Sequence, residues 1–492
     1  MADALDGLTP VPVWKYFAEL SRIPRCSKHE AAASRFIVDT AARLGLSAVA
    51  DRAGNVVVRK PAARGFERAP GVCLQGHLDM VCEKTPASTH DFGTDAIELV
   101  RRDGALTADG TTLGADNGIA VATNLAIMED RSLTHGPLEL LFTVDEETGL
   151  TGARSLEPGF IESRILLNLD SEEEGAIYVG CAGGRDTVAT WVVGEETAPP
   201  SWTAMHVSVG GLKGGHSGLD IDKGRGNAVK ILARVVRALV DAGGRLASIA
   251  GGNKRNAIPR DAQAVVCVGD PRDADAIVRR WNDLVRNELG RVDPDVAVTL
   301  DRATTRVDAV LAQQDERRVL RALAAVPHGV VKMSADIAAL VETSTNLATV
   351  ETNGRTISVA TSQRSSVASE MDDIVTAVTA VFELAGARVE HSDGYPGWKP
   401  DIASPILRTA VGTYQSLYGR APEVKAVHAG LECGIIGEKY PGIDMISFGP
   451  TLEGVHTPDE KIHVDTVPRF WRFLLALLAE CASSEGAAAA RT

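Results

Sequence analysis

Histidine and carboxylate residues follow several apolar stretches of this chain, at the points where those stretches end. His77 and Asp79 come just after the apolar run 71–74, and two residues apart in an extended strand they would point to the same side. The other residues of this kind are Asp116, Asp145, Glu146, Glu147, Asp170 and His456. Because ligands collect outside the carboxyl ends of strands in open α/β sheets, we expect these side chains to converge there.

This combination of side chains suits a pair of divalent metal ions. Imidazole and carboxylate ligands are typical of zinc and are also accepted by manganese and cobalt. Two ions about 3.5–4 Å apart need a ligand that bridges them, and a carboxylate with two oxygens can do so. Three ligating carboxylates and one hydroxide would balance the charge of two such ions. A fourth acid near the ions would then be free to carry a proton.

Each of these positions also has a simpler explanation when it is taken alone. The pair at 77 and 79 could merely end a strand, and the acids at 145–147 could form a solvated turn. Asp116 could be a helix N-cap, Asp170 a polar strand end and His456 a loop residue. Their order along the chain and their shared strand contexts favour the metal site.

The elements that must position these residues alternate along the first part of the chain. Apolar runs of strand length lie at residues 55–60, 71–77, 138–144, 165–169 and 445–448. Helical patterns lie at residues 11–23, 28–44, 117–128, 405–418 and 466–481. Short apolar strands between helices predict an α/β domain with a mostly parallel sheet and helices on both faces.

The pattern changes near residue 180 and returns to its first form after Trp398. Helices are predicted at 226–242, 274–289 and 369–384, with strands such as 205–209, 264–268 and 356–361 between them. This mixture is typical of an α+β domain. We therefore predict a catalytic domain at 1–187 and 399–492 that is interrupted by an inserted domain at 188–398.

Composition limits the kinds of partner and compartment. The 492 residues are too many for one ordinary core, and 45% hydrophobic with 24% charged residues indicates a soluble globular protein. A formal net charge of -14 argues against a nucleic-acid surface or a polybasic membrane anchor. Residues 470–481 are too short and too charged to span a bilayer, and no signal peptide is apparent. Seven scattered cysteines without a CxxC pair favour a reducing, cytoplasmic location.

The motifs together resemble those of the co-catalytic zinc peptidases, which include carboxypeptidases, tripeptidases, acylases and carnosinases. The closer resemblance is to the aminoacyl-histidine (Xaa-His) dipeptidases, also called peptidase D. It rests on CLQGHLDMVCEK, LGADNGIA, FTVDEETGLTGA, LLNLDSEEEG, HAGLECG and GVHTPDE, and it extends from the first helix to the last. The resemblance implies hydrolysis of dipeptides, with Xaa-His substrates preferred, and an inserted domain that serves as a lid and forms a homodimer.

The resemblance also implies a role for each candidate residue. His77 and Asp170 would hold one metal ion, Glu147 and His456 the other, and Asp116 would bridge them, with a cis bond between Asp116 and Asn117. Both ions are expected to be zinc, with manganese or cobalt as alternatives.

The two remaining acids at this site take catalytic roles by the same resemblance. Asp79 would orient the imidazole of His77 and raise its basicity. Glu146 would be the general base, taking a proton from the metal-bridging water as it attacks the amide and passing it to the leaving amine.

The inserted domain would contribute contacts to the substrate. By resemblance His216 would reach the oxyanion, and Asn256 and Arg364 would hold the C-terminal carboxylate, which suits the fork of an arginine. In HAGLECG, His428 and Glu432 would lie near the substrate, with Glu432 close to its amino group.

Two other functions stay open at this point. An N-acyl amino-acid amidohydrolase could use the same metal site, but its substrate lacks the charged amine that Glu432 would meet. A non-catalytic metal-binding scaffold protein could share the fold, although the presence of five ligand positions and Glu146 argues against it.

Overall fold

Helices and strands alternate along the whole chain in the computed structural model, which describes residues 2–304 and 306–483. The helices are α1 (Ala2–Leu5), α2 (Val11–Leu20), α3 (Ala31–Leu44), α4 (Ala115–Glu129), α5 (Thr151–Ser155), α6 (Ala228–Asp241), α7 (Pro271–Leu289), α8 (Gln313–Ala325), α9 (Ala368–Leu384), α10 (Pro405–Tyr418), α11 (Glu432–Lys439) and α12 (Val467–Ala482). The strands are β1 (Ser47–Ala50), β2 (Val56–Lys60), β3 (Val72–His77), β4 (Leu99–Arg102), β5 (Ala105–Ala108), β6 (Leu138–Thr143), β7 (Ile165–Asn168), β8 (Ala176–Cys181), β9 (Gly183–Val192), β10 (Glu195–Thr197), β11 (Thr203–Gly210), β12 (Gly215–His216), β13 (Arg245–Gly251), β14 (Ala257–Ile258), β15 (Ala262–Val268), β16 (Ala297–Arg302), β17 (Ala309–Leu311), β18 (Gly329–Met333), β19 (Val341–Asn353), β20 (Thr356–Ser365), β21 (Arg388–His391), β22 (Glu423–Val427), β23 (Asp444–Ser447), β24 (Leu452–Glu453) and β25 (Lys461–His463).

The chain divides into two compact units. Unit 1 consists of Met1–Gly180, Pro400–Ala426 and Leu431–Thr492, and unit 2 consists of Cys181–Lys399 and Val427–Gly430. The first boundary therefore lies seven residues before the position expected from the sequence, between residues 180 and 181. The reason is that β9 pairs with β20 from its first residue, so residues 183–187 belong to the sheet of unit 2.

Unit 1 is built on an eight-stranded sheet in the order β1-β2-β6-β3-β7-β23-β8-β22. The four central strands β6, β3, β7 and β23 are parallel, as the apolar runs predict. Every residue of β3 and β6 is buried, which is typical of parallel strands that are covered on both faces. The outer strands add antiparallel pairs, β1 with β2, β2 with β6 and β8 with β23. The sheet is thus mixed, with a parallel centre.

Helix α4 lies unusually close to the end of β3. A Cβ atom added to Gly76 would lie 2.5 Å from Asn117 Oδ1 and 2.8 Å from the methyl carbon of Ala120. Only glycine allows this approach, because any side chain at this position would push the helix away from the strand. The close contact brings the start of α4, and with it Asp116, to the end of the strand that carries His77.

Unit 2 contains a nine-stranded sheet in the order β16-β11-β15-β13-β19-β20-β9-β21, with β18 pairing with β19. Helix α6 packs on β11, β13, β15 and β19. Its N-cap is Asn227, whose side chain accepts a hydrogen bond from the backbone N–H of Lys230, and it buries an apolar face that includes Val229, Leu232 and Val236. Unit 2 therefore has its own hydrophobic core.

Two of the seven cysteines form a disulfide bond. Cys26 and Cys82 are paired across 56 residues with their Cα atoms 5.7 Å apart, whereas the other five cysteines are buried and form no disulfide bond. The prediction of reduced cysteines is wrong for this pair, because a spacing of this length gives no local signal in the sequence. Within residues 2–304 and 306–483, none of the helices combines the length and the apolar character that a membrane span requires.

Candidate metal centre

The carboxyl ends of three neighbouring strands carry most of the predicted site. His77 is the last residue of β3, Glu146 and Glu147 follow β6, and Asp170 follows β7. Strand β3 lies between β6 and β7 and pairs with both in parallel, so the three ends lie side by side. Asp116 arrives from the start of α4.

The five predicted metal ligands meet around the carboxylate of Asp116. Its Oδ1 lies 3.1 Å from Nε2 of His77, and its Oδ2 lies 3.1 Å from Nε2 of His456. Asp170 Oδ1 lies 3.4 Å from Nε2 of His77, and Glu147 Oε2 lies 2.9 Å from Nε2 of His456. Asp116 therefore faces a different imidazole with each oxygen.

The donor atoms fit two cations that share one ligand. One donor atom from each of His77, Asp116 and Asp170 lies within 4.8 Å of the others, and the same holds for Asp116, Glu147 and His456. Glu147 Oε1 is buried and accepts no hydrogen bond. Buried carboxylate oxygens without partners are costly, and a bound cation removes that cost. Nitrogen and oxygen donors in this number suit zinc, manganese or cobalt.

Electrostatics within the cluster also fit cation binding. Burial alone would lower the pKa of His77, but Asp170, Asp116 and Asp79 outweigh it and raise that pKa well above its ordinary value. Hydrogen bonds to Asp116 and Glu147 raise the pKa of His456 to about 11. Each imidazole thus holds a proton where a cation would sit, because the surrounding carboxylates need positive charge.

Asp79 lies behind His77 and is completely buried. Its Oδ1 lies 3.3 Å from Nδ1 of His77 and also accepts a hydrogen bond from the backbone N–H of Glu146 at 3.0 Å. Its Oδ2 accepts hydrogen bonds from Ser27 Oγ at 2.8 Å and from the backbone N–H of Glu147 at 3.2 Å. One carboxylate therefore fixes both the first imidazole and the turn that carries the two glutamates.

The carboxyl group of Glu146 lies in the same cluster. One of its oxygens is within 4.8 Å of donor atoms of His77 and Glu147. Burial raises the pKa of Glu146 well above its ordinary value, and the nearby carboxylates of Asp170, Glu432 and Glu147 raise it further. A carboxyl group with a raised pKa is suited to exchanging protons near neutral pH.

Asn117 joins two of the strand ends and was not singled out from the sequence. Its Oδ1 accepts the backbone N–H of His77 at 3.2 Å, and its Nδ2 donates to the carbonyl oxygen of Leu169 at 3.0 Å. The peptide bond between Asp116 and Asn117 is cis, as the family resemblance predicted. Ser27 was also missed, since nothing in its local sequence connects it with Asp79.

Glu432 is a buried neighbour of this cluster. Its side chain is completely buried, and its Oε2 accepts hydrogen bonds from Gln75 Nε2 and from Thr143 Oγ1, the latter at 2.7 Å. Burial raises its pKa to about 7. Gln75 and Thr143 belong to β3 and β6, so Glu432 links two strands that lead to the candidate ligands. The expected contact of Glu432 with a substrate amine stays a prediction.

Unit 2 brings the remaining candidate residues together. His216 lies on β12, which pairs with β14 directly after Asn256, and the carbonyl oxygen of Asn256 accepts the backbone N–H of Ser217 at 2.8 Å. Arg364 lies on β20, where its Nε is 3.4 Å from Ser217 Oγ and its Nη1 donates to the hydroxyl of Tyr395 at 3.0 Å. His216, Asn256 and Arg364 thus form a hydrogen-bonded cluster that contains the positive charge of Arg364.

His428 belongs to the same cluster. Its Nε2 is hydrogen-bonded to Ser344 Oγ at 2.7 Å, and Ser344 pairs with Arg364 across β19 and β20. Burial lowers the pKa of His428 to about 3, and the positive charges of Arg364 and His216 contribute. His428 is therefore neutral at physiological pH and acts as a hydrogen-bonding group rather than a charge.

Comparison with known proteins identifies the family. The sequence profile of peptidase family M20/M25/M40 matches residues 73–480, and the chain belongs to this family. It is 40% identical to the cytosol non-specific dipeptidase of Escherichia coli strain K12 over 479 residues, which are 97% of this chain and 99% of the relative. The predicted resemblance is thus confirmed, and so is the class of enzyme, a peptide-bond hydrolase.

Solved structures show the same fold. The crystal structure of aminoacylhistidine dipeptidase from Vibrio alginolyticus matches with a TM-score of 0.88 and 41% identity, covering 96% of this chain and 97% of that one. An aminopeptidase from Bacillus cereus matches with a TM-score of 0.56 and 17% identity, covering 97% of this chain and 100% of that one. The second comparison bears on the fold alone.

Proposed function

We propose that the protein hydrolyses dipeptides at a centre of two divalent metal ions. His77 and Asp170 would hold one ion, Glu147 and His456 the other, and Asp116 would be shared. The observation that carries this proposal is the carboxylate of Asp116, which presents one oxygen to each imidazole at 3.1 Å. Zinc is the proposed metal, with manganese and cobalt as alternatives that the same donors accept.

The bound ions would supply Lewis acidity, which makes water a stronger acid and polarises the carbonyl of the scissile amide. Glu146 takes the proton of the attacking water and delivers it to the leaving amine, which its raised pKa supports. Asp79 keeps Nδ1 of His77 oriented and anchors the backbone of the turn that carries Glu146. Glu146 thus transfers the proton, and Asp79 positions a metal ligand and the turn that carries Glu146.

Unit 2 would recognise the peptide. Arg364 is proposed to bind the C-terminal carboxylate together with Asn256, because a guanidinium can make two parallel hydrogen bonds to a carboxylate. His216 is proposed to stabilise the oxyanion that develops as the amide is attacked. Recognition of a free C-terminal carboxylate by Arg364 and Asn256 would favour dipeptides over long chains.

The range of dipeptides that the protein hydrolyses is a separate point. Two relatives of nearly equal identity are named differently, one as a non-specific dipeptidase and the other as an aminoacylhistidine dipeptidase. We propose a preference for Xaa-His dipeptides, as the sequence motifs indicate. A homodimer formed through residues 188–398 and a cytoplasmic location stay predictions.

A panel of substrates tests the proposal. Xaa-His dipeptides, other dipeptides and N-acetyl amino acids are assayed with purified protein before chelation, after chelation and after zinc or manganese is restored. We expect turnover of dipeptides that is lost with the chelator and returns with the metal. Turnover of the N-acetyl amino acids alone would make the protein a deacylase, and no turnover with two bound ions would make it a scaffold.

A further inference from the structure

The carboxylate of Glu460 is the hydrogen-bond acceptor for four consecutive backbone N–H groups. Its Oε2 accepts from Leu113 at 2.8 Å and from Gly114 at 2.9 Å. Its Oε1 accepts from Ala115 at 2.7 Å and from Asp116 at 3.2 Å. The side chain is only 2% exposed, so water does not replace these bonds. Four N–H groups directed at one carboxylate form an anion-binding nest that the chain fills with its own residue.

The backbone of this loop takes the shape that the nest requires. Gly114 has a φ of 69° and a ψ of 30°, which is the left-handed region that favours glycine. A Cβ atom at this position would lie 2.5 Å from Nη2 of Arg25 and 2.7 Å from the sulfur of Met80. The turn at Gly114 points the neighbouring N–H groups to one side, where Glu460 receives them.

Glu460 connects two of the candidate metal ligands through short stretches of chain. The last N–H group that it accepts belongs to Asp116, the residue that faces both imidazoles. Glu460 itself follows His456 by four residues. Its own backbone is held as well, because its N–H donates to the carbonyl oxygen of Thr457 at 3.1 Å and its carbonyl oxygen accepts from Thr107 Oγ1 at 2.8 Å.

Arg25 closes the other side of the same loop. Its guanidinium is buried and donates from Nη2 to the carbonyl oxygen of Gly114. From Nη1 it donates to the carbonyl oxygens of Leu78 at 3.0 Å and Asp79 at 3.1 Å. The loop before Asp116 is therefore held on both sides: the carboxylate of Glu460 accepts its N–H groups, and the guanidinium of Arg25 donates to the carbonyl oxygen of Gly114. Because Arg25 also bonds to Leu78 and Asp79, it connects this loop with the segment that follows His77.

We propose that Glu460 is a positioning residue that sets the location of the Asp116 carboxylate between the two metal sites. The proposal rests on the two-metal function described above. The carboxylate of Glu460 is occupied by backbone N–H groups, and Glu460 is not one of the proposed metal ligands. It fixes the backbone of Asp116 relative to His456. A single side chain thus sets the distance between the shared ligand and a ligand of the second ion.

Replacement by glutamine removes half of the interaction at nearly constant volume. In Glu460→Gln the amide oxygen can still accept two N–H groups, but the amide nitrogen is a donor and opposes the other two. Two backbone N–H groups are then left buried without an acceptor, and the loop must shift to satisfy them. Because Asp116 ends this loop, we expect the shared carboxylate to move away from one of the metal sites.

The experiment measures the metal centre itself as well as turnover. Wild-type protein and Glu460→Gln are loaded with Mn²⁺, and binding isotherms and electron paramagnetic resonance spectra are recorded. Ions that share a carboxylate bridge are magnetically coupled, so the wild type should give the spectrum of a coupled pair. For Glu460→Gln we expect one of the two affinities to fall roughly 10–100-fold, the coupled signal to weaken and kcat to fall more than KM rises.

Glu139→Gln is the matched control. Glu139 is 6% exposed and accepts backbone N–H groups from Glu162 and Ser163, both at 2.8 Å, but it lies near the start of β6, away from the ligands. This variant can keep both N–H bonds through its amide oxygen and loses the ion pair of Glu139 with Arg59, so it should keep wild-type metal affinities, coupling and kcat. A loss of affinity in both variants would show a general packing effect and would overturn the proposal.

The remaining outcomes separate this inference from the proposed function. Two coupled ions and normal kcat in Glu460→Gln would refute the role of Glu460 and leave the two-metal centre intact. A wild type that binds no pair of ions would refute the centre itself. If Glu460→Gln does not fold, Thr107→Val disturbs the backbone of Glu460 more gently. That variant should show a smaller loss of affinity in the same direction, and unchanged coupling in it would also overturn the proposal.

Discussion

Replacing Glu146 by glutamine separates proton transfer from metal binding. Glutamine has the same shape, and the backbone N–H of residue 146 can still donate to Asp79 Oδ1, now 3.0 Å away. The amide cannot accept a proton from water, however. General acid–base catalysis contributes roughly 10²–10⁴-fold, and each tenfold corresponds to about 1.4 kcal/mol of barrier. The variant should therefore raise the barrier by about 3–5 kcal/mol.

The structure favours the upper half of this range. Burial is the largest cause of the raised pKa of Glu146, and it makes this carboxylate a stronger base than an exposed glutamate. We expect kcat on a good dipeptide to fall by about 10³-fold or more, with KM changed less than about threefold. The assay follows dipeptide hydrolysis at saturating zinc, and metal content is measured by mass spectrometry on the same samples.

Glu147→Gln is the natural comparison, because the two residues are neighbours on one turn with different predicted tasks. Glu147 Oε2 lies 2.9 Å from Nε2 of His456, so this variant should lose activity together with one of its two ions. Glu146→Gln should lose activity and keep both ions. A Glu146→Gln variant that loses an ion would reassign Glu146 as a ligand, and one that retains a tenth of wild-type kcat would remove it from proton transfer.

Three further predictions follow from other parts of the structure. Asp116 and Glu147 raise the pKa of His456 to about 11, so the imidazole of the metal-free protein is protonated at pH 7. Zinc binding should release this proton. Calorimetry in two buffers of different ionisation enthalpy should detect the release. Arg364→Lys should raise KM for dipeptides roughly tenfold or more with a smaller change in kcat, because lysine cannot bond a carboxylate bidentately. Steady-state kinetics would show an unchanged KM if this residue does not touch the substrate. Since Cys26 and Cys82 are paired, titration of the unfolded, unreduced chain should find five thiols, and seven would contradict the disulfide.

The eight-stranded sheet of unit 1 could be predicted because its central strands are buried on both faces. Continuous apolar runs such as the one before His77 have few alternatives to a parallel strand, and polar residues at their ends then fall on one edge of the sheet. The antiparallel strand β8 gave a weaker signal. It follows the acidic segment 172–174, and its neighbours in the sheet are set by tertiary packing rather than by its own pattern.

The supporting residues of the site were harder to predict, since their partners are distant backbone atoms. Asn117 and Glu460 act on N–H and carbonyl groups whose positions exist only in the folded chain. Glu432 is a similar case, because its buried carboxylate accepts hydrogen bonds from Gln75 and Thr143, two residues that are distant from it in the sequence. A sequence motif indicates which side chains carry chemistry, and it says less about which ones hold the loops.

The central claim is that one carboxylate lies between two metal ions. X-ray diffraction from crystals of the zinc-loaded protein, recorded at the zinc absorption edge, locates zinc directly. The account predicts two anomalous peaks about 3.5–4 Å apart on either side of Asp116, one beside His77 and the other beside His456. A single peak, or peaks that do not contact Asp116, would contradict it.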